Sequence, residues 1–220
     1  MITTLAGYTY GDAALPTSPV TTSELADLHA SVLWSDADAD ALRRAGEILA
    51  PQTEAILDVW YGFVASKPHL VATFAGADGQ PDADYLARVR GRFGQWIADI
   101  CNRDQDTSWL AYQDEIARRH HTDGKNATDQ VTSASTHVPL RHLIALIVPI
   151  TVTVREFLAT GAADEVELDA MHQAWFKAVT LSTALWARSA PVRRSTVPLG
   201  VLSVQGSRSK FSTGTGTGGR

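Results

Sequence analysis

Hydrophobic positions recur along the chain at steps of three and four, the spacing that places side chains on one face of an α-helix. No stretch shows the strict alternation of a half-buried strand. The pattern predicts helices over residues 21–33, from Ser35 onward, and over 51–66, 69–74, 82–100, 108–121, 136–160 and 164–190. Loops are predicted at 75–81 from glycines and proline, and at 122–135 from polar composition. The chain is therefore expected to be all-α.

The last two predicted helices are the most apolar part of the chain. Residues 164–190 are apolar along one stripe and across much of the other face, and Pro149 interrupts the hydrogen bonding of the helix before them. Two adjacent helices of this kind need cover on more than one side. A homodimer is one way to supply that cover.

Two adjacent histidines lie at the C-terminal end of the amphipathic helix predicted over 108–121. The apolar stripe runs through Trp109, Tyr112 and Ile116, and one more step of four reaches His120. His121 is turned about 100° away. This phase leaves two interpretations of His120 open: a buried histidine held by a hydrogen bond, or a neutral imidazole that binds a haem iron.

Further candidates lie on inward faces or at their edges: Trp60, Tyr61, Val89, Arg92 and Phe93. Tyr61 is either a core tyrosine whose hydroxyl bonds to the backbone or a hydrogen-bond donor to a ligand. Phe93, beside Val89, is expected to belong to the core. Arg92 is either solvated or paired with a buried carboxylate, such as a haem propionate.

The formal net charge of −5 is unevenly distributed. Residues 191–220 hold five basic residues and no acidic one, which leaves −10 on the rest of the chain. An acidic body argues against nucleic acid as the main partner. Residues 191–220 also lose helical periodicity and end in a run of glycine and threonine, so we expect a disordered tail after a single domain over 1–190.

The composition disfavours several kinds of site and location. Cys101 is the single cysteine, which excludes a disulfide within the chain, a four-cysteine metal site and c-type attachment of haem. The N-terminus lacks the basic start and apolar run of a signal peptide. The most apolar stretch, 143–154, is expected to be too short and too interrupted to span a membrane. A cytoplasmic location without a membrane partner is therefore expected.

Other catalytic and metal motifs fit poorly. The sequence has no phosphate-binding loop, no dinucleotide fingerprint after a strand and no serine elbow. A zinc site is disfavoured because adjacent histidines such as His120 and His121 point to different faces of a helix. The acidic run at 36–40 lacks the glycine and glutamate of a calcium loop.

Several stretches, by their order and spacing, resemble the protoglobins, single-domain haem proteins related to the sensor domains of globin-coupled sensors. They are residues 7–11, 56–64, 68–70, 85–90, 119–121, 149–151 and 173–178. The resemblance extends from Gly7 to about Trp186. It covers nearly the whole chain before the tail.

The resemblance implies a globin-like three-over-three helical sandwich with an extra N-terminal helix. It also implies a deeply buried haem b, two tunnels through the protein and a dimer built largely on the last two helices. The cofactor-binding residues that it implies are His120, as the iron ligand, with Trp60, Tyr61, Val89, Arg92, Phe93, Leu146 and Ile150. Leu146 stands where the family has a phenylalanine, and the tail has no counterpart in the family.

The function expected from the resemblance is reversible binding of O2, CO and NO at a histidine-ligated iron, in gas binding, sensing or storage. His120 is expected to donate its second ring N–H to a backbone carbonyl one turn back, that of Ile116. The alternative is a haem catalyst that uses the open sixth position of the iron. Its chemistry would be peroxidase-like, nitric-oxide-detoxifying or carbene-transferring.

Overall fold

The computed structural model describes residues 5–76, 78–122, 124–132 and 135–187. The α-helices are α1 (Thr22–Ser31), α2 (Asp36–Leu49), α3 (Thr53–Ala65), α4 (Pro68–Val71), α5 (Ala83–Asn102), α6 (Thr107–His120), α7 (Leu140–Ala159) and α8 (Glu165–Trp186). Short 3-10 turns precede α3 and follow α4. The predicted tail, 191–220, and positions 188–190 of the last predicted helix lie outside the described residues.

Helix starts follow the capping residues in the sequence. In four helices, the side-chain oxygen of the N-cap residue accepts a hydrogen bond from the backbone N–H of the residue three positions later. The four N-cap residues are Thr21, Asp82, Asp106 and Asp164. The start of α7 was predicted too early: it lies at Leu140 rather than residue 136. The reason is Pro139, which lacks an N–H and disfavours helical backbone in the residue before it.

The helices form two layers of three. Helices α2, α5 and α6 pack across α3, α7 and α8, with α1 as an extra N-terminal helix, which confirms the expected sandwich. Helix α8 packs against α2, α5, α6 and α7, and its Met171 and Trp175 are buried. The main apolar core joins side chains of α2, α3, α5, α7 and α8. Removal of this apolar surface from water is the main force that stabilises the arrangement.

A glycine in α5 lets α3 approach closely. A methyl group added at Gly94 would lie 3.2 Å from side-chain atoms of Leu57 and Thr53, which is tighter than ordinary contact. Glycine costs about 1 kcal/mol of helix propensity relative to alanine. The close packing of the two helices offsets that cost.

One face of α7 is apolar and exposed. Leu140, Ile144, Val148 and Val152 lie along one row of the helix and are 40%, 55%, 64% and 64% exposed. By length and composition alone, α7 could cross a membrane, contrary to the expectation for residues 143–154, and 22% of its most apolar window is buried. Exposed apolar surface of this extent is typical of protein–protein or membrane interaction sites.

Candidate functional site

A cavity of about 230 Å³ lies among α3, α5, α6, α7 and α8. It brings together every site residue predicted from the sequence: Trp60, Tyr61, Val89, Arg92, Phe93, His120, Leu146 and Ile150. Much of the remaining lining was not predicted, including Tyr112, Arg119, Lys125, Asp129, Thr183 and Trp186. Most of the lining side chains are apolar or aromatic, which suits a largely hydrophobic ligand.

His120 is the last residue of α6, and one hydrogen bond and one aromatic contact hold its ring. Its Nδ1–H donates to the carbonyl oxygen of Ile116 at 2.9 Å, which confirms the predicted hydrogen bond one turn back. The ring stacks on Trp186, with centroids 5.2 Å apart and planes 24° apart. Since Nδ1 is engaged by the backbone, Nε2 is the nitrogen left to face the cavity.

The protonation of His120 suits a metal ligand. Burial lowers the pKa of the imidazole to about 4, although the hydrogen bond to Ile116 opposes part of that shift. The ring is therefore neutral at neutral pH and keeps a lone pair on Nε2. A neutral imidazole with one nitrogen anchored is the usual form of a histidine that binds a metal.

His121 takes a different role at the end of α6. It is the C-cap residue and is absent from the cavity lining, among the residues described. Its carbonyl oxygen accepts hydrogen bonds from the backbone N–H groups of Gly124 and Lys125. The helical phase thus distinguished the two histidines correctly, since it turned His120 inward and His121 away.

Aromatic side chains of α3 and α5 form another wall of the cavity. The ring of Trp60 lies 5.6 Å from that of Phe93, and Phe93 stacks on Trp96 with centroids 5.4 Å apart. Leu146 and Ile150, on α7, pack against the same cluster as Trp60. Phe93 is therefore both a core residue and a cavity residue.

Tyr61 is the polar member of this wall. In the described part of the chain, no residue forms a hydrogen bond with its hydroxyl, so the structure does not support the interpretation of Tyr61 as a core tyrosine held by a backbone partner. Burial raises the pKa of the phenol, with opposing contributions from Arg90 and Arg92. The guanidinium of Arg90 lies 5.6 Å from the ring centroid. The protonated hydroxyl is thus available as a donor within the cavity.

Arg92 lies at the polar edge of the cavity in an ion pair. Its two terminal nitrogens contact both carboxylate oxygens of Asp129, at 2.9 and 2.5 Å, and one of them also donates to the carbonyl of Ala6. The side chain of Asp129 is 3% exposed, and Arg88 contacts it as well. Of the two interpretations of Arg92, the buried ion pair is correct. Its partner Asp129 was missed because the polar loop 122–135 carries no periodic signal.

The matched family explains this set of residues. A protoglobin family model matches residues 21–190 of the chain. The chain belongs to the protoglobin family. A search among curated proteins found no match.

Protoglobin membership implies a haem-binding globin. The residues of this protoglobin fit that group: the cavity holds a neutral histidine with one free ring nitrogen, and its walls are flat aromatic side chains. In the described part of the chain, no group of three or more histidine, cysteine, aspartate or glutamate side chains could hold a metal ion by itself. The lining is thus compatible with haem, the cofactor that the family implies.

Proposed function

We propose that this protoglobin holds haem b through His120 and reversibly binds O2, CO and NO in the cavity. The observation that carries the proposal is the state of His120: Nδ1 is held by Ile116, and the neutral ring leaves Nε2 toward the cavity. Haem would supply an iron with an open position for a diatomic gas. The b-type assignment rests on the single cysteine, which excludes c-type attachment.

The remaining predicted residues would contact the haem or its gas ligand. They are Trp60, Tyr61, Val89, Arg92, Phe93, Leu146 and Ile150. Aromatic and aliphatic side chains would pack on the flat ring and exclude water. Arg92 would stay at the polar edge, where its pairing with Asp129 fixes its position.

Tyr61 would set the preference among gases. Its hydroxyl, which no described residue engages, can donate a hydrogen bond to a ligand in the cavity, and O2 accepts such a bond more readily than CO does in a haem site. A hydrogen bond to a charged or polarised acceptor contributes about 1.5–3 kcal/mol. The geometry therefore supports gas binding with a preference for O2.

The ultraviolet–visible spectrum of the protein, expressed with haem supply, tests the haem assignment. We expect a Soret band and a five-coordinate ferrous spectrum, both lost in His120→Ala. His121→Ala is the matched control, because that residue caps the same helix outside the cavity. If His121→Ala rather than His120→Ala abolishes the ferrous spectrum, the assignment of the ligand is wrong.

We also propose that α7 and α8 form the interface of a homodimer. The exposed apolar row of α7 and the 47% exposed Phe176 of α8 support this arrangement. In sedimentation analysis, Val148→Glu is expected to yield monomers. Val59→Glu, a substitution of a 50% exposed valine on α3, is expected to leave the dimer intact.

Fractionation of a cell lysate addresses location. A cytoplasmic protein would stay in the supernatant after high-speed centrifugation of a lysate, and Val148→Glu would stay there as monomers. Recovery of the wild type with the membrane fraction would instead assign the apolar face of α7 to lipid.

A further inference from the structure

Three tyrosine rings connect the cavity with the N-terminal segment. Tyr112, on α6, is buried and lines the cavity. The ring of Tyr8 meets it edge-on at a centroid distance of 5.3 Å, and the ring of Tyr10 does so at 5.7 Å. Tyr8 and Tyr10 are half-buried, and their rings stack at 6.5 Å. A continuous aromatic contact thus extends from the cavity to the protein surface.

Tyr8 has a proton acceptor at its hydroxyl. The O–H donates to Oδ2 of Asp99 at 2.8 Å, and Arg103 donates to the phenolic oxygen at 3.3 Å. Arg103 also pairs with the Asp99 carboxylate, which receives a further hydrogen bond from Gln95. A phenol gives up an electron far more easily when its proton can move at once to a base within hydrogen-bond distance. Tyr8 and Asp99 form such a pair.

The other aromatic residues around the cavity lack this arrangement. In the described parts of the chain, no acceptor contacts the hydroxyl of Tyr61 or Tyr85, although both line the cavity. Nε1 of Trp96 is buried without a partner, so oxidation of this indole would leave a positive charge in an apolar core. Trp186 donates to Gln113, whose amide oxygen is a weak base. Among these described aromatic residues, Tyr8 is therefore the one whose oxidisable group bonds to a carboxylate base.

We propose that Tyr8, through Tyr112, supplies electrons to the haem pocket, so that the protein reduces hydrogen peroxide at the expense of ascorbate or a similar one-electron reductant. The proposal rests on haem binding in the cavity. Each electron leaves Tyr8 as its O–H bond breaks and the proton moves to Asp99. Ascorbate then returns an electron, and the proton returns from Asp99. After two such cycles, one ascorbate monoanion has lost two electrons and one proton and become dehydroascorbate. Hydrogen peroxide has taken up those two electrons, that proton and a second proton from solvent, its O–O bond has broken, and two water molecules have formed.

The radical itself gives the decisive readout. Ferric holoprotein is mixed with hydrogen peroxide without ascorbate, frozen rapidly and measured by electron paramagnetic resonance. We expect a tyrosyl radical in the wild type and a loss of about ten-fold in its yield in Tyr8→Phe and Asp99→Asn, since the amide accepts the hydrogen bond but not the proton. Soret absorbance should also bleach faster in both variants.

Tyr85→Phe is the matched control, because it removes a hydroxyl from the cavity lining where no acceptor is present among the described residues. An unchanged radical yield in Tyr8→Phe, or its loss in Tyr85→Phe, would overturn the proposal. A nitroso spin trap on the wild type needs no variant: an adduct on Tyr8 supports the path, and adducts confined to Tyr61 or Tyr85 refute it. A wild type without a Soret band would refute the haem assignment instead.

Discussion

On the cavity wall formed by α6 and α8, hydrogen bonds hold the rings of His120 and Trp186, whereas on the wall formed by α3 and α5 no described residue engages the Tyr61 hydroxyl. On the first wall, Nδ1 of His120 is bound to a backbone carbonyl and Nε1 of Trp186 to the amide oxygen of Gln113. On the second, aromatic rings pack on each other and no described residue binds the Tyr61 hydroxyl. In the proposed function, the first wall would fix the haem and the second would respond to its gas ligand.

The largest expected effect comes from removal of the ring that supports His120. Trp186→Ala should lower the free energy of unfolding of the apoprotein by about 3–5 kcal/mol, because it leaves a cavity against the stacked imidazole. Urea denaturation measures this change, and transfer of haem to apomyoglobin should be faster in the variant. Trp186→Phe keeps a ring and should cost less. Equal losses in the two variants would show that ring stacking does not support His120.

On the other wall, Tyr61→Phe should change ligand kinetics rather than stability. Loss of a hydrogen bond of about 1.5–3 kcal/mol corresponds to O2 release that is faster by roughly ten- to a hundred-fold. Flash photolysis and stopped-flow measurements should find CO release little changed. Tyr85→Phe, in the same cavity, is the control. Equal acceleration of O2 and CO release would refute a hydrogen-bond role for Tyr61.

Loss of Gln113, the hydrogen-bond partner of Trp186, should lower the free energy of unfolding less than loss of the Trp186 ring. Gln113→Leu removes the acceptor of the indole N–H and should destabilise the protein by about 1–3 kcal/mol, the usual cost of an unsatisfied buried donor. The same substitution in the Trp186→Phe background completes a double-mutant cycle, measured by urea denaturation. Phenylalanine has no N–H, so in that background Gln113→Leu leaves no indole donor unsatisfied. If Gln113→Leu lowers the free energy of unfolding equally in that background, the hydrogen bond to Trp186 is not the cause of the loss.

The smallest expected effect comes from removal of the Arg90 guanidinium that contacts the Tyr61 ring. Arg90 lies over the tyrosine ring and pairs with Glu54 and Asp58 on α3. Arg90→Gln should remove a cation–π contact of about 0.5–1 kcal/mol, and O2 release should change by roughly two- to five-fold at most. Arg90→Lys should restore most of the wild-type rate. A change as large as that of Tyr61→Phe would mean that Tyr61 is positioned mainly by Arg90.

Much of the fold could be predicted because amphipathic periodicity is a local property. The helices predicted from residues 82, 108 and 164 begin within one residue of those positions, at Ala83, Thr107 and Glu165. The error at the start of α7 is also local, because periodicity outweighed the effect of Pro139 on the preceding residue. The sequence indicated that α7 is apolar on more than one side, but periodicity does not say which neighbour covers each side. Only the tertiary structure decided which row of α7 stays exposed.

Within the site, the sequence by itself determined what one helix can decide. His120 lies one turn after Ile116, so helical geometry alone directs its ring inward and offers Nδ1 the Ile116 carbonyl. Only the tertiary structure paired Arg92 with Asp129 and stacked Trp186 on His120. The partners in those pairs are far apart along the chain, and their meeting depends on the path of a loop and the crossing of helices. Neither the loop path nor the helix crossing can be inferred from the local spacing of residues.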